Sequence, residues 1–318
     1  MYFNNNETVL ITGGSGYIAT KLSKFLTDKG FNVILIVRSS EYIINNKNIK
    51  VLVFDLNDDK LYLELEHYKI DYVIQTVSDS NNLILNQNIS TICENNVISN
   101  WKIANFFSKK CVKLFMYFST IHVYNSNLKK VNNNTLCNPS SIYGLTHFLS
   151  ENINKFYNSI SNTKFLNIRL SNSYGYNNSK SWKKPLINEF CFTAITQNKI
   201  KLKNKESVYR DFIYLEDLAN IIYYIISNSN SINTTHLNLC SGYSYSLLMV
   251  SKIIKDYCKL KFDQNIEIIM NDVKQVKEIK IKHKVYFKTE MYEKLGYTPS
   301  FSIFDGIGNT IDEIKKIL

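Results

Sequence analysis

Short apolar runs alternate with stretches of helical spacing through the first half of the chain. Thr8–Thr12 is apolar and stops at Gly13-Gly14-Ser15-Gly16; Tyr17–Lys29 follows with helical periodicity, and Gly30 stands where a helix stop is expected. Asn32–Val37, Ile49–Phe54 and Asp71–Val77 read as three more strands. Asn96–Lys110 reads as a helix, with Val97, Ile98, Trp101, Ala104, Phe106 and Phe107 near helical spacing. Lys113–Ser119 is a fifth strand, Ile142–Ser159 a further helix and Phe165–Leu170 a sixth strand. Short buried strands alternating with helices argue for right-handed βαβ units and a mostly parallel sheet. The expected fold class is α/β, a doubly wound Rossmann sheet over residues 1–170. Beyond Ser171 the pattern turns irregular and predicts a smaller substrate lobe over 171–318, with 211–240 returning to the sheet domain. The Asn-rich patches Asn4–Asn6, Asn132–Asn134 and Asn228–Asn233 read as solvated loops.

Composition narrows the picture mainly by exclusion. At 318 residues, 45% hydrophobic and 20% charged, the chain is globular in class and long enough for two lobes. No run approaches the roughly 18–20 apolar residues that cross a membrane. The polar start, Met1 to Thr8, lacks the parts of a signal peptide. Six cysteines (93, 111, 137, 191, 240, 258) are scattered, with no CxxC pair and no histidine at ligand spacing. Reduced thiols in a cytoplasmic protein without a metal site are expected. A net charge of +11 raises the question of nucleic acid, but the lysines are dispersed and no aromatic–basic recognition motif occurs, so no nucleic-acid partner is expected. The 38 basic residues include only three arginines, Arg38, Arg169 and Arg210, against a background rich in Lys and Asn.

Three of the chain's ten glycines fall in the four positions Gly13 to Gly16. A tight turn, close backbone approach and free N–H groups at a helix start suit a pyrophosphate, so Gly13, Ser15, Gly16, Tyr17 and Ile18 are candidate dinucleotide contacts. At the end of the second strand, where an acid would meet the adenosine ribose, the chain has Arg38 followed by Ser39-Ser40. A guanidinium pairs well with a 2′-phosphate, which favours NADP(H) over NAD(H). Asp55 is placed to accept from the adenine amino group, with Leu56 beside it.

Phe118-Ser119-Thr120-Ile121-His122-Val123-Tyr124 closes the fifth strand, and Tyr143-Gly144-Leu145-Thr146-His147 opens the helix behind Asn138-Pro139-Ser140. With Arg169-Leu170-Ser171-Asn172-Ser173-Tyr174-Gly175, Arg210-Asp211-Phe212-Ile213-Tyr214-Leu215-Glu216-Asp217 and Leu295-Gly296-Tyr297-Thr298-Pro299, the chain resembles the extended short-chain dehydrogenase/reductases. That group includes nucleotide-sugar epimerases, dehydratases and reductases, and the resemblance spans nearly the whole chain. It implies that Tyr143 is the general acid/base and that Thr120 hydrogen-bonds the reacting oxygen. Asn172 and Arg210 would hold the substrate, Arg210 at its diphosphate. The family carries Lys four residues after the Tyr; here His147 stands there, a YxxxH in place of YxxxK.

A mostly neutral imidazole offers little field to stabilise a tyrosinate, although it can still meet a ribose hydroxyl. Reducing a ketone needs Tyr143 only to give a proton, so the substitution leans toward a reductase. The resemblance thus implies an NADP(H)-dependent reductase of a 4-keto nucleotide-diphosphate sugar, of use in polysaccharide precursor supply. The alternatives are a 4-epimerase with tightly held NAD and a cofactor-binding protein of weak or lost activity. Dehydration is disfavoured, because Ile121-His122 replaces the Asp-Glu pair of the family's dehydratases. A homodimer built on the helices Asn96–Lys110 and Ile142–Ser159 is also implied. Arg169, late in a buried strand, reads as structural and paired with an acid.

Overall fold

The computed structural model describes residues 7–41, 44, 46–79, 89–132, 134–202, 209–270, 286–287 and 296–318. These divide into two compact units. The first takes the described residues of Met1–Ser126, Leu136–Leu170 and Ala219–Leu237, and the second those of Asn127–Thr135, Ser171–Leu218 and Asn238–Leu318.

A seven-stranded parallel sheet, in the order β3-β2-β1-β4-β5-β7-β11, dominates the first unit. Its strands are β1 (Thr8–Thr12), β2 (Asn32–Val37), β3 (Ile49–Val53), β4 (Tyr72–Gln75), β5 (Leu114–Thr120), β7 (Phe165–Leu170) and β11 (His236–Leu239). Helices α1 (Tyr17–Asp28), α2 (Asp59–Leu65), α3 (Ile89–Cys93), α4 (Ser99–Ser108) and α5 (Ile142–Ile160) connect them. Strands covered on both faces are apolar over most of their length: Val9, Leu10 and Ile11 of β1 are fully buried, and all seven residues of β5 are buried, the polar Ser119 and Thr120 at its end included. Each such Leu, Ile or Phe contributes about 1.5–3 kcal/mol of transfer free energy. The order reverses between β1 and β4, which makes the C-terminal ends of these strands the switch point where ligands bind in open α/β sheets.

The second unit has its own core, including Ile187, Cys191, Ala194, Ile254, Ile307 and Ile311. It is built from α6 (Leu186–Gln197), α8 (Leu247–Phe262) and α9 (Ile303–Ile317), with three small sheets. In these, β8 (Asn172–Tyr174) and β12 (Ser244–Ser246) flank β10 (Tyr209–Tyr214), β9 (Lys199–Leu202) pairs with β13 (Glu267–Met270), and β6 (Lys130–Val131) pairs with β14 (Tyr286–Phe287). Helix α7 (Leu215–Ser227) begins in the second unit and ends in the first. Ser302 and Asp305 close a capping box on α9, and Ser246 caps α8.

Several elements differ from their sequence expectation. Strand β4 is shorter than Asp71–Val77, because Thr76 leaves the ladder and its hydroxyl donates to the Thr12 carbonyl at 2.7 Å. The helix expected from Asn96 to Lys110 is two pieces, a π-helical turn at Glu94–Ile98 followed by α4. Among the described residues no helix is long and apolar enough to span a membrane.

Candidate active site

The turn after β1 has the form a pyrophosphate requires. Gly13 sits at φ +65°, where a side chain would be strained, and a Cβ on Gly14 would lie 2.9 Å from Leu35 Cβ. No side chain caps α1 at Gly16, and no acid occupies the first turn of that helix. Ser15 is exposed and Tyr17 and Ile18 are half-buried, so the residues present fit a dinucleotide phosphate. Arg38 is exposed at the end of β2, beside exposed Ser39 and Ser40. Asp55 is exposed and its carboxylate accepts from the Asn57 N–H at 2.8 Å, while the Leu56 side chain is buried in the core.

Thr120 ends β5, and Tyr143 lies in the first turn of α5. Two local features bring them together. Ser141 caps α5 through the Gly144 N–H at 3.1 Å. Gly144 then lets the helix press onto the turn after β5, since a Cβ there would lie 2.1 Å from the His122 carbonyl. The Tyr143 hydroxyl consequently lies near enough to the hydroxyls of Thr120 and of Ser78, a residue of the loop after β4, for both to act on its pKa. Burial raises the Tyr143 pKa above that of a free phenol, and these two hydroxyls pull against it.

His147 lies one helical turn on, its ring centroid 4.6 Å from that of Tyr143 at an interplanar angle of 70°. It is 1% exposed. Its Nδ1 is 2.8 Å from the Tyr117 hydroxyl and its Nε2 is 3.0 Å from Ser78 Oγ. Burial, aided by His122, drives its pKa down to about 3, so the ring is neutral. Both nitrogens are engaged by side chains, and a ribose hydroxyl could reach the ring only by displacing one of them. Sequence reasoning missed Ser78 and Tyr117, whose roles depend on partners 69 and 30 residues away.

Behind Thr120 stands a buried ion pair. The Arg169 Nε donates to both carboxylate oxygens of Glu151, at 3.0 and 3.1 Å, and Nη2 donates to Oε2 at 2.6 Å. Arg169 Nη1 donates to the Tyr124 hydroxyl at 2.7 Å, and Ser119 Oγ donates to Glu151 at 2.6 Å. Both residues next to the turn that carries Thr120, Ser119 before it and Tyr124 after it, are thereby tied to one charge pair on α5 and β7. Arg169 is structural, as its place in the strand implied.

Asn172 and Arg210 belong to the second unit. The Asn172 amide donates to the Asp211 carbonyl at 2.9 Å, bracing β8 on β10. Asp211 is buried and accepts from the Ser241 N–H and hydroxyl and the Gly242 N–H at 2.8–2.9 Å. It is therefore occupied away from Arg210, which has no ion-pair partner among the described residues. Partial desolvation lowers the Arg210 pKa from its usual value.

Residues 9–240 match the profile of the NAD dependent epimerase/dehydratase family. A putative UDP-glucose 4-epimerase of Methanocaldococcus jannaschii is 23% identical over 312 residues, covering 97% of this chain and 98% of that one. The UDP-glucose 4-epimerase of Thermotoga maritima, solved with UDP-glucose, superposes with a TM-score of 0.80 at 19% identity, covering 98% of this chain and 99% of that one. The UDP-glucuronic acid 4-epimerase of Bacillus cereus, solved with UDP-glucuronic acid and NAD, gives a TM-score of 0.80 at 16% identity, covering 98% and 100%.

Proposed function

Because the chain belongs to the NAD dependent epimerase/dehydratase family, we propose that it uses a nicotinamide dinucleotide to reduce a 4-keto nucleotide-diphosphate sugar. The observation that carries this reading is the pairing of Tyr143 with an uncharged His147. No cation stands one helical turn along α5 to stabilise a tyrosinate, so Tyr143 is suited to give a proton and poorly suited to take one. Thr120 orients the substrate oxygen toward Tyr143, and its own Oγ is held by the His122 N–H at 3.2 Å. The glycine turn would hold the pyrophosphate, and the nicotinamide, when bound, supplies the hydride. Arg38, exposed and with no acid beside it in Arg38-Ser39-Ser40, supports NADP(H). Arg210, a guanidinium with no carboxylate partner among the described residues, supports a diphosphate contact.

The 4-epimerase is a second reading, favoured by the full-length relative of that name and by the solved neighbour that carries NAD. One assay separates the two. A 4-keto nucleotide sugar is mixed with the protein and either NADPH or NADH, and absorbance loss is followed. A reductase consumes NADPH stoichiometrically and faster than NADH. Interconversion of 4-hydroxy sugars without added cofactor, with NAD copurifying, would replace this reading by the epimerase. Binding of nucleotide with neither activity would leave a cofactor-binding protein.

The outer face of α5 supports a homodimer. Ile142, Leu145, Leu149, Phe156 and Ile160 are 41–63% exposed at helical spacing, next to Trp101 of α4 at 51%. A dimeric mass by light scattering is expected, with Leu145→Arg/Leu149→Arg reducing it to the monomer. A monomeric wild type would end this proposal.

A further inference from the structure

We propose that His122 is a second acid–base group of this site, and that it exchanges the hydrogen on a carbon flanking the C4 ketone of a bound keto-sugar. It rests on the reading above, in which Thr120 and Tyr143 hold that ketone oxygen. Two imidazoles are in ring contact with Tyr143. His147 is buried, with a hydroxyl against each of its nitrogens. His122 is exposed, its ring centroid 5.8 Å from that of Tyr143 at an interplanar angle of 69°. Its backbone is fixed from two sides. The His122 N–H donates to Thr120 Oγ1 at 3.2 Å, and its carbonyl faces Gly144, where a Cβ would approach to 2.1 Å. Ile121–Val123 is a single 3₁₀ turn in which Val123 is fully buried and His122 is exposed. The turn that follows Thr120 thus presents a titratable side chain to solvent at the edge of the Tyr143 ring.

A hydrogen on a carbon next to a carbonyl is acidic, because the electron pair of the broken C–H bond becomes a C=C bond as the carbonyl π pair moves onto oxygen. His122 takes that proton on a ring nitrogen. The oxygen carries the charge as an enolate, hydrogen-bonded by Thr120 and by Tyr143, which keeps its proton. In the reverse step the imidazolium returns a proton to the carbon and the ketone re-forms. Imidazole suits both directions, since it takes and gives protons near neutral pH. An exposed imidazolium also trades its proton with water before giving it back, which a buried one does slowly. The step needs no hydride and no electron acceptor, so it is separable from reduction. It is the proton transfer common to isomerisation and epimerisation next to a ketone.

The test uses the full chain in D2O with UDP-4-keto-6-deoxyglucose or its dTDP counterpart, without added nicotinamide dinucleotide. ¹H NMR should show the signal at C3 or C5 disappearing faster than in protein-free buffer. His122→Gln should slow that loss about 10²-fold or more, the contribution of one acid–base group. Tyr143→Phe, which removes a donor to the enolate, should slow it about 10²-fold as well. NADPH is then added to the same samples and reduction is followed. A structural role for His122 would slow exchange and reduction alike, whereas the proposed role slows exchange at least about tenfold more than reduction. The His122 side chain is exposed, so its replacement leaves the core untouched, and His122→Asn serves as a second variant. Reduction with no exchange above buffer overturns the role of His122 and leaves the reductase reading standing. Exchange without reduction supports His122 and removes that reading; the absence of both, with either sugar, removes both. Equal slowing of the two rates in the His122 variants, or exchange unaltered in them, would also overturn the proposal.

Discussion

Tyr143→Phe is expected to cut turnover about 10²–10⁴-fold while leaving nucleotide affinity almost unchanged, the range general acid–base catalysis supplies. The substitution removes one oxygen and retains the ring that stacks edge-on with His147, so folding and cofactor binding should survive. The pH dependence is as informative as the rate. Burial raises the Tyr143 pKa above its ordinary value near 10, so the phenol stays protonated throughout the neutral range. Ketone reduction should therefore hold level from neutral into alkaline pH and fall only as Tyr143 loses its proton. Alcohol oxidation should be slow at neutrality and climb over that same alkaline range. His147→Lys places a cation near the phenol and should move the oxidation limb to lower pH. An oxidation profile already at its plateau at neutral pH in the wild type, or a Tyr143→Phe variant retaining a tenth or more of its turnover, would remove Tyr143 from the proposed role.

The second large effect is on stability. Glu151→Gln should cost about 3–5 kcal/mol, because it strands a buried guanidinium in a low-dielectric site. Burial alone would lower the Arg169 pKa; the bonds to Glu151 more than offset it and hold the charge. The carboxylate accepts from Arg169 and from Ser119, leaving no solvent path to compensate its loss. Urea denaturation followed by circular dichroism measures the change. Combining Glu151→Gln with Arg169→Met should recover part of the loss, since it removes the stranded charge. A single-variant loss under about 1 kcal/mol would show that the pair is not the buried anchor its geometry describes.

How much of this was legible beforehand follows from the range of each signal. Strands β1, β2 and β7 begin and end where expected, since each is a mostly apolar and mostly buried run bounded by turn residues. Helix α2 was missed for the converse reason: it has seven residues, and only Leu61 and Leu65 are buried, too little for a period to register. The π-helical turn was invisible because Asn96 and Ser99 are polar yet buried, a fact that only tertiary contacts create. Thr120, Tyr143 and His147 were found through spacing in a familiar pattern. Ser78 and Tyr117, whose hydroxyls meet the two ring nitrogens of His147, carry no local signature. Asp55 shows the limit from the other side, since its carboxylate is engaged in a turn with Asn57 as any such Asp may be.

The last strand to join the sheet has a consequence for synthesis. When Leu170 leaves the ribosome, six strands of the sheet exist, and β7 lies at the edge with its outer backbone groups unpaired. The strand that covers that edge, β11, is made only after roughly seventy more residues, several seconds of elongation at about 5–20 residues per second. During that interval the nascent chain exposes the edge of a hydrophobic sheet, and the first unit cannot complete itself from its own N-terminal portion. A chaperone that shields strand edges would act in that window, and a chain interrupted there would be the form most prone to associate with copies of itself.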